Sequence, residues 1–262
     1  MAVTKLANLI NPIVLGEYLD VKLVDAIKLT PLMEVNRDLQ AHYGDTLQMQ
    51  KYTYIGDAAA LAEGAAMVPA QIGAETVSVT VGKCAKAVEI TDEAIMNHYG
   101  NIVDEIGKQL LVAIASKIEA DCFEELRKAT QRHSYTAFNK EVIVDAQVMF
   151  GEDINESQVL IIRPEDYAVL RKDPDFVYIA NGQEIMSGHV GRIFGADVIV
   201  SNRVQTGEAF LMKPGALMLL VKQNCQCEAD RDILSMTNVF TAHEFYVPFL
   251  KYDDRVVRLI KN

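Results

Sequence analysis

The sequence predicts an α+β fold of elongated build, and three observations predict it. Apolar and polar residues alternate with period two across Leu47 to Ile55 and again across Thr76 to Ile90, the mark of strands with one packed face. From Thr91 the period lengthens to about 3.6, and a single apolar stripe continues from Ile95 to Leu126. Beyond Lys140, short segments of both kinds alternate. Half of the 262 residues are apolar, enough for a sizeable core.

Residues 1–45 have mixed character. Leu19, Leu23 and Ile27 lie near helical spacing and Thr30-Pro31 breaks the pattern, so this segment reads as an arm with one short helix. The two alternating stretches read as two strands of one ribbon. Between them Ile55 to Glu75 is dominated by Ala and Gly, a long connection for a compact domain. Two readings stand: a surface loop, or a projecting hairpin whose order comes from a neighbouring subunit. Small residues permit close backbone approach, and a flexible arm can settle on a partner without building its own core.

Thr91 is placed as an N-cap, with Asp92 and Glu93 in the first turn and Arg127, Lys128 and Arg132 at the far end, so both ends suit the helix dipole. Ile95, Tyr99, Ile102, Ile106, Leu110, Ile114, Ile118, Cys122 and Leu126 form the apolar stripe. Gly100 separates a leading turn from a helix running to Arg132, about 32 residues and roughly 48 Å. A helix so long must lie across something broad. After it, KEVIVDAQVMFG reads as a helix, SQVLIIRP as a buried strand, and PEDYAVLRKD as a helix with Pro164 at its first position. A glycine-spaced loop from Gly188 leads into a strand at Asp197 to Ser201, and AFLMKPGALMLLV supplies two strands joined at Lys213-Pro214-Gly215. Lys222 to Pro248 reads as long strands, and DDRVVRLIKN closes with another.

Charge and cysteine usage narrow the function. Lys and Arg number 25 against 36 Asp and Glu, a net charge of −11 that opposes non-specific nucleic-acid binding. The four cysteines, Cys84, Cys122, Cys225 and Cys227, read as reduced thiols, since Cys225-Gln-Cys227 lacks the spacing of a zinc knuckle or redox pair. Asn8, Asn11 and Pro12 interrupt any signal-peptide core, and no uninterrupted apolar run approaches the ~20 residues that span a bilayer.

Catalytic templates fail in turn. The chain has no GxxxxGK[ST] loop, no GxSxG elbow and no GxGxxG; His243-Glu244 begins like a zincin, but Val247 stands where the second ligand belongs. The other histidines, His42, His98, His133 and His189, are scattered. The best constellation is Glu228, Asp230 and Asp232, three carboxylates at period two on one face of a strand. Such a face can be solvated or salt-bridged, can hold a divalent cation, or can raise one carboxyl pKa for catalysis. The first reading is preferred, because no nucleophile stands at a related spacing.

The order of these parts resembles the major capsid proteins of tailed bacteriophages, with the Hong-Kong-97-type shell fold. The resemblance covers nearly the whole chain and rests on GDAAALAEG, KAVEITDEAI, VLIIRPEDYAVL, GRIFGADVIVSNRV and the closing EADRD with DDRVVRLI. It implies an N-terminal arm over 1–45, an extended loop over 46–90, a peripheral domain over 91–139 and 222–250 with a long spine helix, and an axial domain over 140–221 and 251–262 with a central sheet. The implied function is self-assembly into hexamers and pentamers of an icosahedral or prolate head enclosing double-stranded DNA. Partners would be copies of itself, a separate scaffolding protein, a portal protein and decoration proteins, with packaged DNA bound without sequence specificity. The absence of a long region before the arm at Met1 further implies no N-terminal cleavage. No lysine and asparagine pair for covalent cross-linking is matched. Inter-subunit contacts are expected at Asp57, Glu63, Met67, Arg192, Arg203, Glu228, Asp230, Arg231 and Asp232. No cofactor, metal or catalytic residue is expected, and assembly is placed in the host cytoplasm. The alternatives are an encapsulin-type nanocompartment shell and, from another class, a metal-dependent hydrolase built on Glu228, Asp230, Asp232 and His243. Deleting Ala58 to Ala66 is expected to leave a folded subunit, by circular dichroism and melting, that no longer forms closed shells by electron microscopy.

Overall fold

The computed structural model describes residues 23, 27–41, 44–52, 55, 56, 58, 60, 66, 67, 69–97, 102–151, 156–172 and 192–262. Most of the expected arm helix, residues 57, 59, 61–65 and 68 of the Ala/Gly connection, and the glycine-spaced loop before Arg192 lie outside them.

A 3-10 turn at Thr30–Leu32 leads into the short strand β1 (Met33–Asn36), and the ribbon follows as β2 (Thr46–Tyr52) paired antiparallel with β3 (Ala74–Thr80). The ribbon is shorter than the period-two pattern suggested. Val81 N–H donates to Asp45 O at 2.8 Å and closes it, after which the chain continues as β4 (Gly82–Thr91), paired antiparallel with the distant β11 (Thr237–Leu250). Alternation reports a packed face and is blind to the partner. Gly44, at φ 111°, turns the incoming chain at the ribbon base, so β2 has no residues left to pair with Gly82 onward.

Thr91 caps as expected: its Oγ1 accepts from Ala94 N–H at 3.3 Å, opening α1 (Asp92–Asn97). The long helix α2 (Ile102–Leu126) buries Ile106, Leu110, Ile114, Ile118, Cys122 and Leu126, the predicted stripe. Each fully buried aliphatic side chain contributes roughly 1.5–3 kcal/mol relative to exposure. The helix stops at Leu126, short of the expected Arg132. Asp253 accepts from Thr130 N–H at 3.0 Å and from the Thr130 hydroxyl, and the chain from Arg132 becomes the strand β5 (Arg132–Tyr135). Tertiary capture outweighs helical periodicity there.

The remaining elements are α3 (Lys140–Val148), β6 (Gln158–Ile162), α4 (Pro164–Arg171), β7 (Arg192–Ile193), β8 (Ala196–Val200), β9 (Glu208–Met212), β10 (Leu217–Asp232) and β12 (Val256–Lys261). Asn139 caps α3 through Val142 N–H at 3.2 Å. Two larger sheets result, in the orders β1-β10-β11-β4 and β5-β12-β9-β6-β8-β7. The two strands expected around Lys213-Pro214-Gly215 exist, but the chain changes sheets between them. Gly215, at φ 78°, donates its N–H to Leu32 O at 3.0 Å, and the turn delivers β10 beside β1. Residues 217–221 therefore lie in the four-stranded sheet, as does β4, while β5 lies in the six-stranded one.

Strand alternation divides the core. Val159, Ile161, Phe210, Met212 and Val256 join α2, Leu217, Leu219, Phe240 and Ala242 in one cluster, so α2 lies on a core shared by both sheets. Leu160, Ile162, Ala209, Leu211, Val257 and Leu259 face the other way, onto α3 and α4. Met218, Leu220 and Phe249 take the ribbon residues Val79, Leu47, Met49 and Val77.

A buried carboxylate joins helix to sheet. Glu208, 3% exposed at the start of β9, accepts from Arg258 Nε at 2.8 Å and Arg127 Nε at 3.1 Å. Arg127 Nη2 donates onward to Arg203 O, and Arg258 Nη1 to Arg127 O, both at 3.2 Å. Removing one member of such a network leaves buried charge uncompensated. Glu208→Ala is expected to lower stability by about 3–5 kcal/mol in urea unfolding, more than Arg127→Ala or Arg258→Ala, each of which leaves Glu208 one arginine.

Candidate functional site

The described residues offer little to a catalyst. Among them no group of three or more His, Cys, Asp or Glu side chains is arranged to hold a metal ion. Burial pushes the thiols of Cys84, Cys122 and Cys227 up, away from the thiolate form that reacts. Under α2, Tyr246 Oη donates to Asp121 Oδ2 at 2.8 Å while Lys117 pairs with Asp121 Oδ1 at 2.6 Å, a chain that satisfies its own members. An open cleft of about 610 Å³ is lined by Lys28, Pro164, Val198, Ile199, Val200 and Asn202. Its cation is engaged, Lys28 Nζ donating to Val200 O at 3.0 Å. No described helix is long and apolar enough to cross a membrane.

What the chain offers is surface. The β10–β11 hairpin stays paired from Leu217↔Leu250 to Asp232↔Thr237, and its outer end carries Ile233, Leu234 and Met236 at 77%, 97% and 62% exposure. Met96 of α1, 82% exposed, adds to the exposed apolar surface beside it. Turns are ordinarily polar, so three large apolar residues there point to a docking role.

Asp92 holds the tip in place. Its N–H donates to Met236 O at 3.0 Å, its Oδ1 accepts from Asn238 Nδ2 at 2.7 Å, and its Oδ2 pairs with Arg231. Inside the turn, Leu234 N–H donates to Asp232 Oδ1 at 2.8 Å and the Ser235 and Thr237 hydroxyls share a 2.8 Å hydrogen bond. The Arg231 guanidinium holds the Asp92 carboxyl below the usual carboxylate range, and the Leu234 N–H does the same for Asp232.

The expected contact residues fall in several places. Asp57 and Glu63 lie outside the described residues, while Met67 is exposed. Arg192, in the edge strand β7, pairs with Asp197 through two bonds of 2.5 and 3.2 Å. Arg203 reaches Ser116 of α2. Glu228, Asp230, Arg231 and Asp232 sit together on the outer half of β10, where Asp230 Oδ1 accepts the Arg231 N–H at 2.8 Å. The hairpin thus brings the acidic segment next to the apolar tip and α1, and leaves Arg192 and Arg203 in the region of the six-stranded sheet. Ile233, Leu234 and Met236 were missed by sequence reasoning. The available signal was an Ile-Leu-Ser-Met turn between two long strands where polar or glycine residues are the rule.

Asp92→Ala is expected to leave the melting temperature within a few degrees and to speed proteolytic cleavage at residues 232–236. Because the folded pKa of Asp92 is lowered, its contribution is complete above the unfolded value of about 3.9 and is lost as pH falls through the folded one. Hydrogen exchange at the tip is therefore expected to be unchanged from pH 8 to 5 by this group and to rise only in more acid solution.

Comparison with known proteins gives this surface a context. The sequence model of a family described as phage capsid protein matches residues 74–223. The major capsid protein of Staphylococcus phage phiMR11 is 30% identical over 266 aligned positions, covering 99% of this chain and 96% of that one. Among solved structures, the capsid of a native GTA particle superposes with a TM-score of 0.74 at 11% identity, covering 90% of each chain. The capsid of Cyanophage P-SCSP1u gives 0.72 at 15% identity, covering 90% of this chain and 88% of that one. With an apolar hairpin tip, a ribbon, a spine helix and a near full-length relative all in agreement, the chain belongs to the phage capsid proteins and is a major capsid protein of the shell-forming, Hong-Kong-97-like fold.

Proposed function

We propose that the chain is a non-catalytic wall subunit whose copies assemble as hexamers and pentamers around double-stranded DNA held without sequence specificity. The observation that carries this reading is the relative matched over 99% of the chain, itself a major capsid protein. The net charge of −11 supports it, since an acidic wall does not clamp the nucleic acid beside it. Residues 1–45 then act as the arm and 46–90 as the extended loop. Residues 91–139 with 222–250 are assigned to the peripheral domain and 140–221 with 251–262 to the axial one, except that Gly82–Thr91 and 217–221 go with the four-stranded sheet of the former and 132–135 with the six-stranded sheet of the latter. Met67, Arg192, Arg203 and Glu228 to Asp232 are assigned to contacts between copies, joined by the tip residues Ile233, Leu234 and Met236. A scaffolding protein, a portal protein and decoration proteins are the further partners, and assembly takes place in the host cytoplasm before the shell becomes part of the virion. The nanocompartment reading is the weaker one, because the full-length relative is a phage protein.

Negative-stain microscopy of the expressed chain, alone and with the products of neighbouring genes, tests the reading. Closed shells are expected, and monomers under every condition would overturn it. Leu234→Asp is expected to melt like the parent chain, since Leu234 is 97% exposed, and to reduce shell yield at least about tenfold.

A further inference from the structure

The described sheets end in edges of very different length. β1 and β5 are four residues long and β7 is two; among the described residues β10 beyond Leu220 has no strand on its β1 side but is broken by two register shifts, whereas β4 runs ten regular residues at the other rim of the four-stranded sheet. It pairs with β11 through ten successive partners, Thr91↔Thr237 to Gly82↔Tyr246, with no bulge, whereas β10 and β11 shift register twice. The strand has no proline, and among the described residues nothing pairs with its outer side. Cys84, Val88 and Ile90 pack toward the core under α2, while Lys83, Ala85, Ala87 and Glu89 face outward and are exposed. A long, regular, uncovered edge presents a row of main-chain donors and acceptors to any extended segment. Ala85 and Ala87 leave room for side chains laid across that face. Lys83 and Lys86, on opposite faces, together outweigh the one acid Glu89 and leave the strand net positive, in a chain of net charge −11.

We propose that the outer edge of β4 is a strand-addition site occupied by an extended, carboxylate-bearing segment of a second copy of this chain. The proposal rests on the shell-forming reading above and names the receiving strand within it. A second copy fits because its net charge of −11 is opposite in sign to the net positive strand, and because a self-assembling subunit meets its own surface at the highest local concentration. The added strand satisfies the outward N–H and C=O groups of β4, about half of those in the strand, the other half being bonded to β11.

Hydrogen exchange read by mass spectrometry on the full-length chain tests the site. The peptide covering residues 82–91 is compared between unassembled subunits and closed shells made from this chain alone. The expected result is that the outward half of its amides, fast in the subunit, slows at least about tenfold in the shell. Shells in which these amides exchange as in the subunit overturn the proposal and leave the capsid reading intact. Protection that arises only when another virion protein is added also overturns it, because the occupant is then not a second copy. Failure to form shells under any condition removes the capsid reading and the proposal with it.

Discussion

Glu208 sits where three parts of the chain must agree. It opens β9, accepts from Arg127 just beyond the end of α2, and accepts from Arg258 of β12, the pairing partner of β9. Burying one carboxylate costs several kcal/mol unless its oxygens are occupied, so the site is stable only when both guanidinium groups arrive together. It lies at the end of α2, where the Arg127 N–H still bonds Phe123 O at 3.1 Å while Arg258 takes the Arg127 carbonyl oxygen. It also links the six-stranded sheet to the helix lying on the core that both sheets share.

Around that junction the molecule separates stiffness from contact. The interior has a single large cluster under α2 with satellite clusters beneath α3 and α4 and beneath the ribbon. Among the described residues, burial pushes the thiols of Cys84, Cys122 and Cys227 away from the reactive thiolate form, and Glu208 is fully paired. Among the described residues, the most exposed large apolar side chain, Leu234, is at the hairpin tip, which is held by backbone and carboxylate bonds to Asp92. An ordered apolar tip has little conformational entropy left to lose, which suits the contact role proposed for it.

The membership of the phage capsid proteins also accounts for the long edge and the ribbon. A two-stranded ribbon is marginal alone. Here its base is supported by Met218, Leu220 and Phe249 on the back of β10 and β11, and by Lys222, which donates to Gly44 O at 2.8 Å and pairs with Asp45. Regular main-chain surface of this kind is an aggregation hazard in a monomer, and its use as an assembly surface is what the strand-addition proposal assigns to it.

The amino-acid sequence by itself determined the α+β class, the position and inward face of the long helix, the N-cap at Thr91, the helix beginning at Pro164, and the absence of familiar catalytic spacings. These follow from local periodicity and capping chemistry, which neighbouring residues carry whatever the rest of the chain does. Tertiary structure alone decided that Gly82 to Thr91 leaves the ribbon for β11, that the chain changes sheets between Lys213 and Ala216, and that α2 ends at Leu126. Only the fold brought Glu208 between Arg127 and Arg258, and Asp92 against Arg231, Asn238 and Met236. Each of these depends on partners far apart in the chain. Period-two alternation says which face of a strand is packed; it carries no information about which strand lies alongside.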